Sequence, residues 1–558
     1  MDTENTMDIY SPLAPSFTNL DDAKRLRSAL ARSQWTIDSV TELLGTWAHN
    51  ALLRERPEPA ITKVNVARAR LVRACEDSID KTTASIPCDS TSHGESAIAP
   101  DYAASAVLTA LFMLGQDVSS EELSYALPSI SVEDLLTWRL VARTDSGDIR
   151  ALVDLRPHEV SDEYGTTQWW VASDLGELTT GKPLESHHVL GIGGAGMTLV
   201  RLTPREHVSN ALDMGCGCGI QTLYLLRHSD HVTATDISQR ALDFTAFNVA
   251  LAGHSDRLTL AHGSLFDPVA GQTFDLVATN PPFVLTPPSV REAGVGLMEY
   301  RDAGGPIIPT VIREVGEHLK PGGIAVMLAN WEHHSGRTWQ DEVNTWVADD
   351  CDAWFVEREF SDPIEYATMW LRDGGITPER DRATFSAALN AWIEDHVVRG
   401  VDGVGFGMVM IHKIPAISSA NPSPWRMQEE ILSSGNAPLG EHLTHIIGQH
   451  DLIRELTDED LAQLIPLRAN DVTCERHFMP AASEPTVMVL SQGGGFGRKI
   501  QATTTMVALI DVSDGELTLG QIAGAMSALM EVDPSAMLQQ MCAEARRLVH
   551  VGMLSFQE

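Results

Sequence analysis

The fold is decided by the stretch Asn210-Ala-Leu-Asp-Met-Gly-Cys-Gly-Cys-Gly-Ile220, in which a short apolar run is followed by three glycines at alternate positions. The apolar run predicts a buried strand, and the residues after Ile220 predict a helix. Glycine tolerates the positive φ angles and the close backbone approach that a tight strand-to-helix turn requires. Free N–H groups at the start of such a helix suit an anionic group, so a ligand site is one interpretation of the turn and tight packing is the other.

A second strand-like run ends at Asp236, one helix and one short strand after the glycine turn. An acid at the tip of the second strand of an α/β sheet can accept hydrogen bonds from a ribose diol. A glycine-rich turn by itself is as often a packing device, but an acid in this position favours the ligand site. The predicted pocket contains Asp213, Gly215, Gly217, Gly219, Asp236 and Ile237.

A third motif, Asn280-Pro-Pro-Phe283, follows the apolar run that ends at Ala278. Open α/β sheets place reactive groups at strand tips. The Asn280 side-chain oxygen and the Pro281 carbonyl could accept the N–H groups of a planar amine, orient its lone pair and stabilise the positive charge that develops on nitrogen. Phe283 could stack on the flat acceptor. The alternative is a simple Asn-Pro turn.

The order of these three motifs resembles the class I methyltransferases of the small-methyltransferase group, which includes glutamine and nucleobase amine methyltransferases. The resemblance covers roughly residues 186–413. It implies an α/β fold with a doubly wound, seven-stranded Rossmann-like sheet whose last strand is antiparallel. It also implies S-adenosyl-L-methionine as the cofactor, held by Asp213, Gly215, Gly217 and Asp236, with the acceptor amine held by Asn280 to Phe283. The whole chain resembles large actinobacterial-type forms with extra terminal domains.

The tip of the third strand departs from that group. Members often carry an acid there that contacts the adenine amine, whereas this chain reads Gly263-Ser-Leu-Phe-Asp267. Ser264 stands at the expected position and could accept a hydrogen bond, or Leu265 and Phe266 could supply the adenine contact. We therefore assign Ser264 and Leu265 to the cofactor pocket and leave the adenine contact open.

Other candidate sites carry weaker signals. The run from Gly191 to Gly196 has the G-x-G-x-x-G spacing of a dinucleotide-binding loop but lacks the strand–helix–strand context, so it predicts a wall of the cofactor pocket or a plain connection. A nicotinamide oxidoreductase is the corresponding alternative. Cys216 and Cys218 lie inside the glycine turn without a second cluster, and no metal site is predicted. The segments Tyr300-Arg-Asp302 and Asn330-Trp-Glu332 are candidates for the rim of the pocket that binds the acceptor amine.

Composition restricts the class of partner. The formal net charge is −36, from 40 Lys and Arg against 76 Asp and Glu, which argues against broad binding of polyanions. A local surplus of Lys and Arg between Asp21 and Arg73 predicts either a solvated helix face or a docking face for RNA or an acidic partner. Sparse cysteine, the absence of a secretory signal and the lack of a long apolar run predict a cytoplasmic protein with no membrane partner.

Three domains are predicted: a helical, winged-helix-like substrate-docking domain over residues 1–180, a methyltransferase domain over 181–415 and an α+β, winged-helix-like domain over 425–558. In the first, three short helices precede a hairpin of Ile149–Leu155 and Thr167–Ser173. The segments 81–100 and 418–424 predict a loop and a linker.

In the C-terminal domain, the predicted elements are a mostly helical stretch from Trp425 to Leu467 and a strand from Met506 to Asp511. The glycine-rich run from Gly493 to Gly497 predicts a hairpin turn more readily than a phosphate-binding loop.

The leading functional hypothesis is methyl transfer from S-adenosyl-L-methionine to a planar amine nitrogen of an RNA or protein, with RNA favoured. That nitrogen would be a nucleobase exocyclic amine or a glutamine amide. The alternatives are a small-molecule methyltransferase and a non-catalytic adapter that binds S-adenosyl-L-methionine only for stability.

Overall fold

The computed structural model describes residues 13–80, 102–292, 295, 298–302, 306–415, 424–431 and 438–557, with the backbone alone for 71–80. The loop predicted over 81–100 lies outside these residues, as does nearly all of the linker predicted over 418–424. Within the described ranges, no helix combines the length and the apolar character that crossing a membrane would require.

The strands, in chain order, are β1 (Val141–Arg143), β2 (Ile149–Ala151), β3 (Asp154–Asp162), β4 (Gly165–Ser173), β5 (Val208–Met214), β6 (Ser229–Asp236), β7 (Leu258–His262), β8 (Phe274–Thr279), β9 (Leu319–His334), β10 (Cys351–Ser361), β11 (Val401–Lys413), β12 (Arg426–Glu430), β13 (Ile465–Arg468), β14 (Val472–His477), β15 (Val487–Gln492), β16 (Lys499–Gln501) and β17 (Leu554–Gln557).

The α-helices are α1 (Leu20–Arg32), α2 (Ile37–Leu52), α3 (Glu58–Asp80), α4 (Ala103–Leu108), α5 (Ser120–Ala126), α6 (Val132–Thr137), α7 (Glu177–Thr180), α8 (Gly194–Leu202), α9 (Ile220–Leu225), α10 (Gln239–Ala252), α11 (Pro288–Glu292), α12 (Ile308–Val315), α13 (Trp339–Asn344), α14 (Pro363–Asp373), α15 (Arg382–Arg399), α16 (Gly440–Ile453), α17 (Asp458–Leu461), α18 (Thr504–Val512), α19 (Leu519–Met530) and α20 (Pro534–His550). A π-helical segment, Thr109–Met113, continues α4.

The central sheet has the strand order β7-β6-β5-β8-β9-β11-β10-β12. The first five strands in this order, from β7 through β6, β5 and β8 to β9, pair in parallel. Strand β11 runs antiparallel to both of its neighbours, β9 and β10. The predicted doubly wound sheet with an antiparallel last strand is thereby confirmed for the first seven strands in this order.

Both faces of the central sheet are covered, which explains why its strands read as continuous apolar runs. In β5, Ala211 belongs to a core cluster shared with α9 and α10, whereas the next residue, Leu212, belongs to a cluster shared with α12 and α13. The same alternation recurs in β8 between Leu276 and Val277. Successive side chains of a strand point to opposite faces, so two separate cores form on one sheet.

The eighth strand of the sheet, β12, comes from the region predicted to be mostly helical, and that prediction is wrong for its first residues. Arg426 to Glu430 pair in parallel with Ala353 to Glu357 of β10. Without β12, β10 would present a row of unpaired backbone groups at the edge of the sheet. Pairing across an edge depends on the partner strand, so the local sequence did not reveal it.

In the N-terminal region, three helical segments precede a hairpin, as predicted, but the predicted strand pairing is wrong. Strand β1 pairs with β2, and β3 pairs with β4. The run from Ile149 to Leu155 is therefore divided between two hairpins. Each hairpin closes at a glycine with positive φ, Gly147 in the first and Gly165 in the second. Both turns suit glycine, and they set the pairing.

The N-terminal region packs directly against the central sheet. Trp35, Trp170 and Phe244 belong to one continuous apolar cluster that also includes residues of β5 and α9. The ring of Phe17 stacks on that of Phe247 in α10, with 4.4 Å between the centroids. The boundary predicted at residue 180 comes just after the hairpin of β3 and β4. The buried side chains of that hairpin pack in the same apolar cluster as those of the central sheet.

The C-terminal region has an apolar cluster of its own, built by helices α16 to α20 and strands β14 to β17. The predicted strand over Met506–Asp511 is wrong: these residues lie in α18, whose first turn is capped by the Thr503 hydroxyl accepting the Met506 N–H at 3.1 Å. A short apolar run does not distinguish strand from helix by periodicity, and the cap decides it here.

The glycine-rich run from Gly493 to Gly497 lies at the hairpin turn between β15 and β16, as the simpler interpretation predicted. The Asp471 carboxylate accepts the Gly494 N–H at 2.7 Å. Arg498, beside the turn, is buried in an ion pair with Glu429 at 2.8 Å. A phosphate here would meet a carboxylate and an arginine that already has a partner.

Candidate functional site

A cavity of about 400 Å³ lies at the carboxyl ends of β5, β6, β7 and β8. Parallel strands bring their carboxyl ends to one edge of a sheet, which joins motifs that are far apart in sequence. The predicted residues that line the cavity are Gly215, Gly217, Asp236, Ile237, Ser264, Leu265, Asn280 and Pro281.

The glycine turn adopts the conformation that its composition predicts. Gly215, Gly217 and Gly219 have φ angles of +76°, +54° and +82°, which side-chain-bearing residues rarely adopt. A Cβ on Gly219 would lie 2.9 Å from the Thr245 hydroxyl of α10, so this glycine also permits close packing. Gly219 therefore shapes the turn from behind, while the other two line the cavity.

Asp236 braces the turn as well as lining the cavity. Its carboxylate accepts the Gly217 N–H at 3.0 Å and the Ser238 N–H at 2.8 Å. Burial raises the pKa of this carboxyl group, and the nearby charge of Glu299 raises it further. A carboxylate held in this way at the tip of β6 is placed to accept hydrogen bonds from a ribose diol.

Asp213 does not reach the cavity wall. Its buried carboxylate accepts the Thr222 hydroxyl at 2.5 Å, and burial raises its pKa to about 7. The sequence placed Asp213 against the cofactor, directly or through water. In the structure it lies behind the glycine turn and supports the first turn of the following helix.

Asn280 and Pro281 line the cavity directly after β8. The Thr279 hydroxyl donates to the Met214 carbonyl at 2.7 Å and fixes this strand tip against the glycine turn. The Asn280 Oδ1 atom is buried and has no hydrogen-bond partner among the residues that the structure describes. An unpaired buried acceptor costs about 1–3 kcal/mol, so such atoms call for an explanation.

Phe283 is the predicted acceptor residue that the structure does not bring to this cavity. Its ring meets those of Trp370 and Phe406 edge-on, with centroids 6.2 and 6.3 Å apart. It lines a second cavity of about 90 Å³, together with Asn330 and Tyr366. The candidate rim residues after Ala329 thus border this smaller cavity, which shares only Ile307 with the larger one.

Several wall residues carried no motif that sequence reasoning could use. His187, His188 and Glu299 line the large cavity, as do the candidates Tyr300 and Asp302. The Glu299 N–H donates to the Ser186 carbonyl at 2.9 Å, which joins two segments distant in the chain. Burial lowers the pKa of His188. This wall arises from a tertiary contact, so local spacing gives no signal for it.

The run from Gly191 to Gly196 also forms part of this wall, as one of its two interpretations predicted. It leads into α8 without a preceding strand of the central sheet, so the context of a nicotinamide-binding loop is missing. The Gln221 side chain donates to the Gly196 carbonyl at 2.6 Å and ties the run to the helix that follows the glycine turn.

The two cysteines of the turn are buried, and burial raises the pKa of Cys218 to about 12 and that of Cys216 well above its ordinary value. Metal ligation requires the thiolate. Elsewhere in the described ranges, Asp352, His450 and Asp451 come close enough to hold an ion. Asp352 and Asp451 already pair with the Arg454 guanidinium.

Part of the basic surplus near the N-terminus is paired with acids, through Lys24, Arg25 and Arg68. Arg25 pairs with Asp22 and Asp134, at 3.0 and 2.9 Å. Arg68 makes two 2.9 Å hydrogen bonds to the Glu122 carboxylate. These ion pairs involve three of the ten Lys and Arg of the stretch, so they do not decide between a solvated face and a docking face for a polyanion.

Comparisons with known proteins agree with this geometry. Residues 186–346 match the methyltransferase small domain, and residues 32–152 match a domain of unknown function (DUF7059). The ribosomal protein uL3 glutamine methyltransferase of Bradyrhizobium diazoefficiens is 34% identical over 159 residues, which cover 27% of this chain and 47% of that protein.

Two further relatives have similar identities. The ribosomal RNA small subunit methyltransferase C of Alcanivorax borkumensis is 34% identical over 121 residues, covering 22% of this chain and 32% of that protein. The release factor glutamine methyltransferase of Aquifex aeolicus is 30% identical over 129 residues, which cover 22% of this chain and 46% of that protein. The chain thus spans less than half the length of these three relatives.

The residues around the large cavity fit S-adenosyl-L-methionine. The glycine turn and the start of α9 suit the methionine carboxylate, and Asp236 suits the ribose. Ile237 and Leu265 offer apolar contacts for the adenine, and the matched segment contains all four strand tips. Residues 186–346 therefore resemble the methyltransferase small domain in sequence, and they line a cavity that fits S-adenosyl-L-methionine.

Proposed function

We propose that this protein transfers a methyl group from S-adenosyl-L-methionine to a planar amine nitrogen, either a nucleobase exocyclic amine or a glutamine amide, of an RNA or a protein. The observation that carries the proposal is the buried Oδ1 atom of Asn280, which has no hydrogen-bond partner within the described part of the chain. It belongs to the wall of the same cavity as the glycine turn and Asp236. A hydrogen-bond acceptor in that position suits an N–H donor.

Bound S-adenosyl-L-methionine supplies a methyl group on a positively charged sulfur. The Asn280 oxygen and the Pro281 carbonyl would hold the acceptor N–H groups and direct the nitrogen lone pair at the methyl carbon. A planar amine needs this help because its lone pair is delocalised into the adjoining carbonyl or ring. As positive charge grows on nitrogen, both hydrogen bonds strengthen, so the two oxygens stabilise the transition state more than the ground state.

The proposed acceptor is a macromolecule because the names of the matched relatives specify a ribosomal protein, a ribosomal RNA and a release factor. Both RNA and protein remain within the proposal, since the names of the relatives specify acceptors of both kinds. We propose that residues 1–180 and 425–558 select the acceptor, and that the reaction takes place in the cytoplasm, where such acceptors are found.

The test is transfer of tritiated methyl groups into an extract from cells that lack the gene, followed by separate RNase and protease digestion. Label that becomes acid-soluble after one digestion identifies the class of acceptor. The Asn280→Ala protein serves as the control and should transfer little label. Label in small molecules alone supports the small-molecule alternative. Cofactor binding without any transfer supports a non-catalytic adapter, and either result overturns the proposal.

A further inference from the structure

A single buried side chain joins the N-terminal region to the glycine turn. Asn248 of α10 has no solvent exposure, and its Nδ2 donates to the Ala172 carbonyl at 2.8 Å and to the Cys218 carbonyl at 2.7 Å. Its Oδ1 accepts the Ala172 N–H at 2.8 Å. Ala172 lies in β4 of the N-terminal hairpin, whereas Cys218 lies in the turn that lines the cofactor cavity.

The hydrogen bonds of Asn248 use both donors of its amide and one acceptor lone pair. If the amide were flipped, its oxygen would face the two carbonyl oxygens and its NH₂ group would face the Ala172 N–H, and neither could form a hydrogen bond. The surroundings therefore permit one orientation. The amide pairs with both backbone groups of Ala172 as a neighbouring strand would. The remaining N–H of the amide donates to the Cys218 carbonyl in the glycine turn.

A second contact ties another part of the cavity wall to the same strand end. Asp174, just after β4, accepts the Val189 N–H on its carboxylate at 2.8 Å, and its own N–H donates to the Val189 carbonyl at 3.1 Å. Arg240 of α10 donates to the same carboxylate at 3.2 Å. Val189 leads into the run from Leu190 to Gly196 that closes the cavity.

We infer that Asn248 is a positioning residue for the cofactor, through which the end of β4 becomes part of the cofactor site. The inference rests on the proposed function only in taking this cavity as the site for S-adenosyl-L-methionine. A turn composed of glycines has little conformational preference of its own, so an external hydrogen bond is needed to select one conformation. The N-terminal hairpin thus contributes to cofactor affinity, in addition to any role in acceptor selection.

The test is calorimetric binding of S-adenosyl-L-homocysteine to the full chain and to Asn248→Ala. We expect the variant to bind about tenfold to a hundredfold more weakly, because small displacements of binding groups have effects of that size. Tyr224→Phe is the matched control. The Tyr224 hydroxyl also joins the hairpin to the domain, through a 2.8 Å hydrogen bond to His158, and among the described residues it makes no hydrogen bond to the glycine turn.

Both variants should lower the melting temperature, but only Asn248→Ala should lower the affinity at temperatures where both proteins are folded. Wild-type affinity in Asn248→Ala overturns the inference, and so does an equal loss in Tyr224→Phe, which would indicate general loosening. If Asn248→Ala does not fold, Asn248→Asp decides. It keeps the size and the acceptor for Ala172 but loses both donors, so wild-type affinity in it overturns the inference. An unmodified protein that does not bind at all overturns the proposed cofactor site instead.

Discussion

The two halves of the large cavity differ in how their polar side chains are used. In the cofactor half, the Asp236 carboxylate already accepts two backbone N–H groups. In the acceptor half, the Asn280 oxygen is buried but has no such partner in the described structure. One half uses its polar groups to hold its own shape, whereas the other keeps an acceptor for a ligand. Variants of the first should therefore alter binding, and variants of the second should alter turnover.

The largest effect should follow from Asn280→Ala. Removing one preorganised partner of a developing charge typically lowers the rate by about 10²–10³. We expect that loss in kcat, with S-adenosyl-L-methionine affinity nearly unchanged, measured by methyl transfer and calorimetry. Asn344→Ala is the control, because Asn344 bonds to Gln428 outside the cavity. Wild-type turnover in Asn280→Ala would show that the motif from Asn280 to Phe283 is only a turn. It would also show that the cofactor and acceptor halves of the cavity do not differ in the way described.

Asn280→Asp sharpens the same comparison. It keeps the size and the acceptor oxygen but adds a negative charge, and we expect activity between those of the wild type and Asn280→Ala. Activity no higher than that of Asn280→Ala would show that the amide itself, rather than an acceptor oxygen, is required.

The next largest effect should be that of Asp236→Ala on cofactor affinity. The loss should be about 1.5–3 kcal/mol, the usual range for hydrogen bonds to charged groups. The variant loses the ribose contact and also releases the Gly217 N–H. The loss of affinity is measured by calorimetry with S-adenosyl-L-methionine. Asp243→Ala, which removes an exposed acid on α10, is the control. Unchanged affinity would exclude Asp236 from the site.

A smaller effect should appear in the pH dependence of stability. Burial raises the pKa of Asp213 from 3.8 to about 7, so the native state keeps its proton to higher pH than the unfolded chain does. The stabilisation is complete below pH 3.8 and is lost as the pH rises towards 7, by at most about 1.4 kcal/mol per pH unit. Urea unfolding at pH 5, 6 and 7 should show a shallower decline for Asp213→Asn. Equal slopes would mean that Asp213 is ionised throughout.

The smallest effect should be that of Phe283→Leu. The ring packs against Trp370 and Phe406, and leucine retains much of this apolar contact. We expect KM for the acceptor to rise by about threefold, with kcat retained, because packing at the edge of a site acts mainly on binding. A rise of two orders of magnitude would show that the ring turns into the large cavity and stacks on the acceptor.

Local sequence was sufficient for the features whose determinants lie within a few residues. The alternation of apolar runs with glycine and acid at Gly215 to Gly219 and at Asp236 predicted the strand tips, and the sheet then brought Asn280 to the same cavity. Glycine permits the positive φ angles that the turn adopts. Such patterns work because backbone conformation and strand alternation are local properties.

The tertiary structure alone decided which way the side chains face and which distant segments meet. Asp213 and Phe283 belong to the predicted motifs yet face away from the large cavity, because Thr222 and an aromatic cluster supply closer partners. The bridge from Asn248 to Ala172 joins residues 76 positions apart. A hydrogen bond over that separation forms only once both segments are packed, so no local pattern encodes it, and the cofactor site is completed by a hairpin outside the domain that its motifs define.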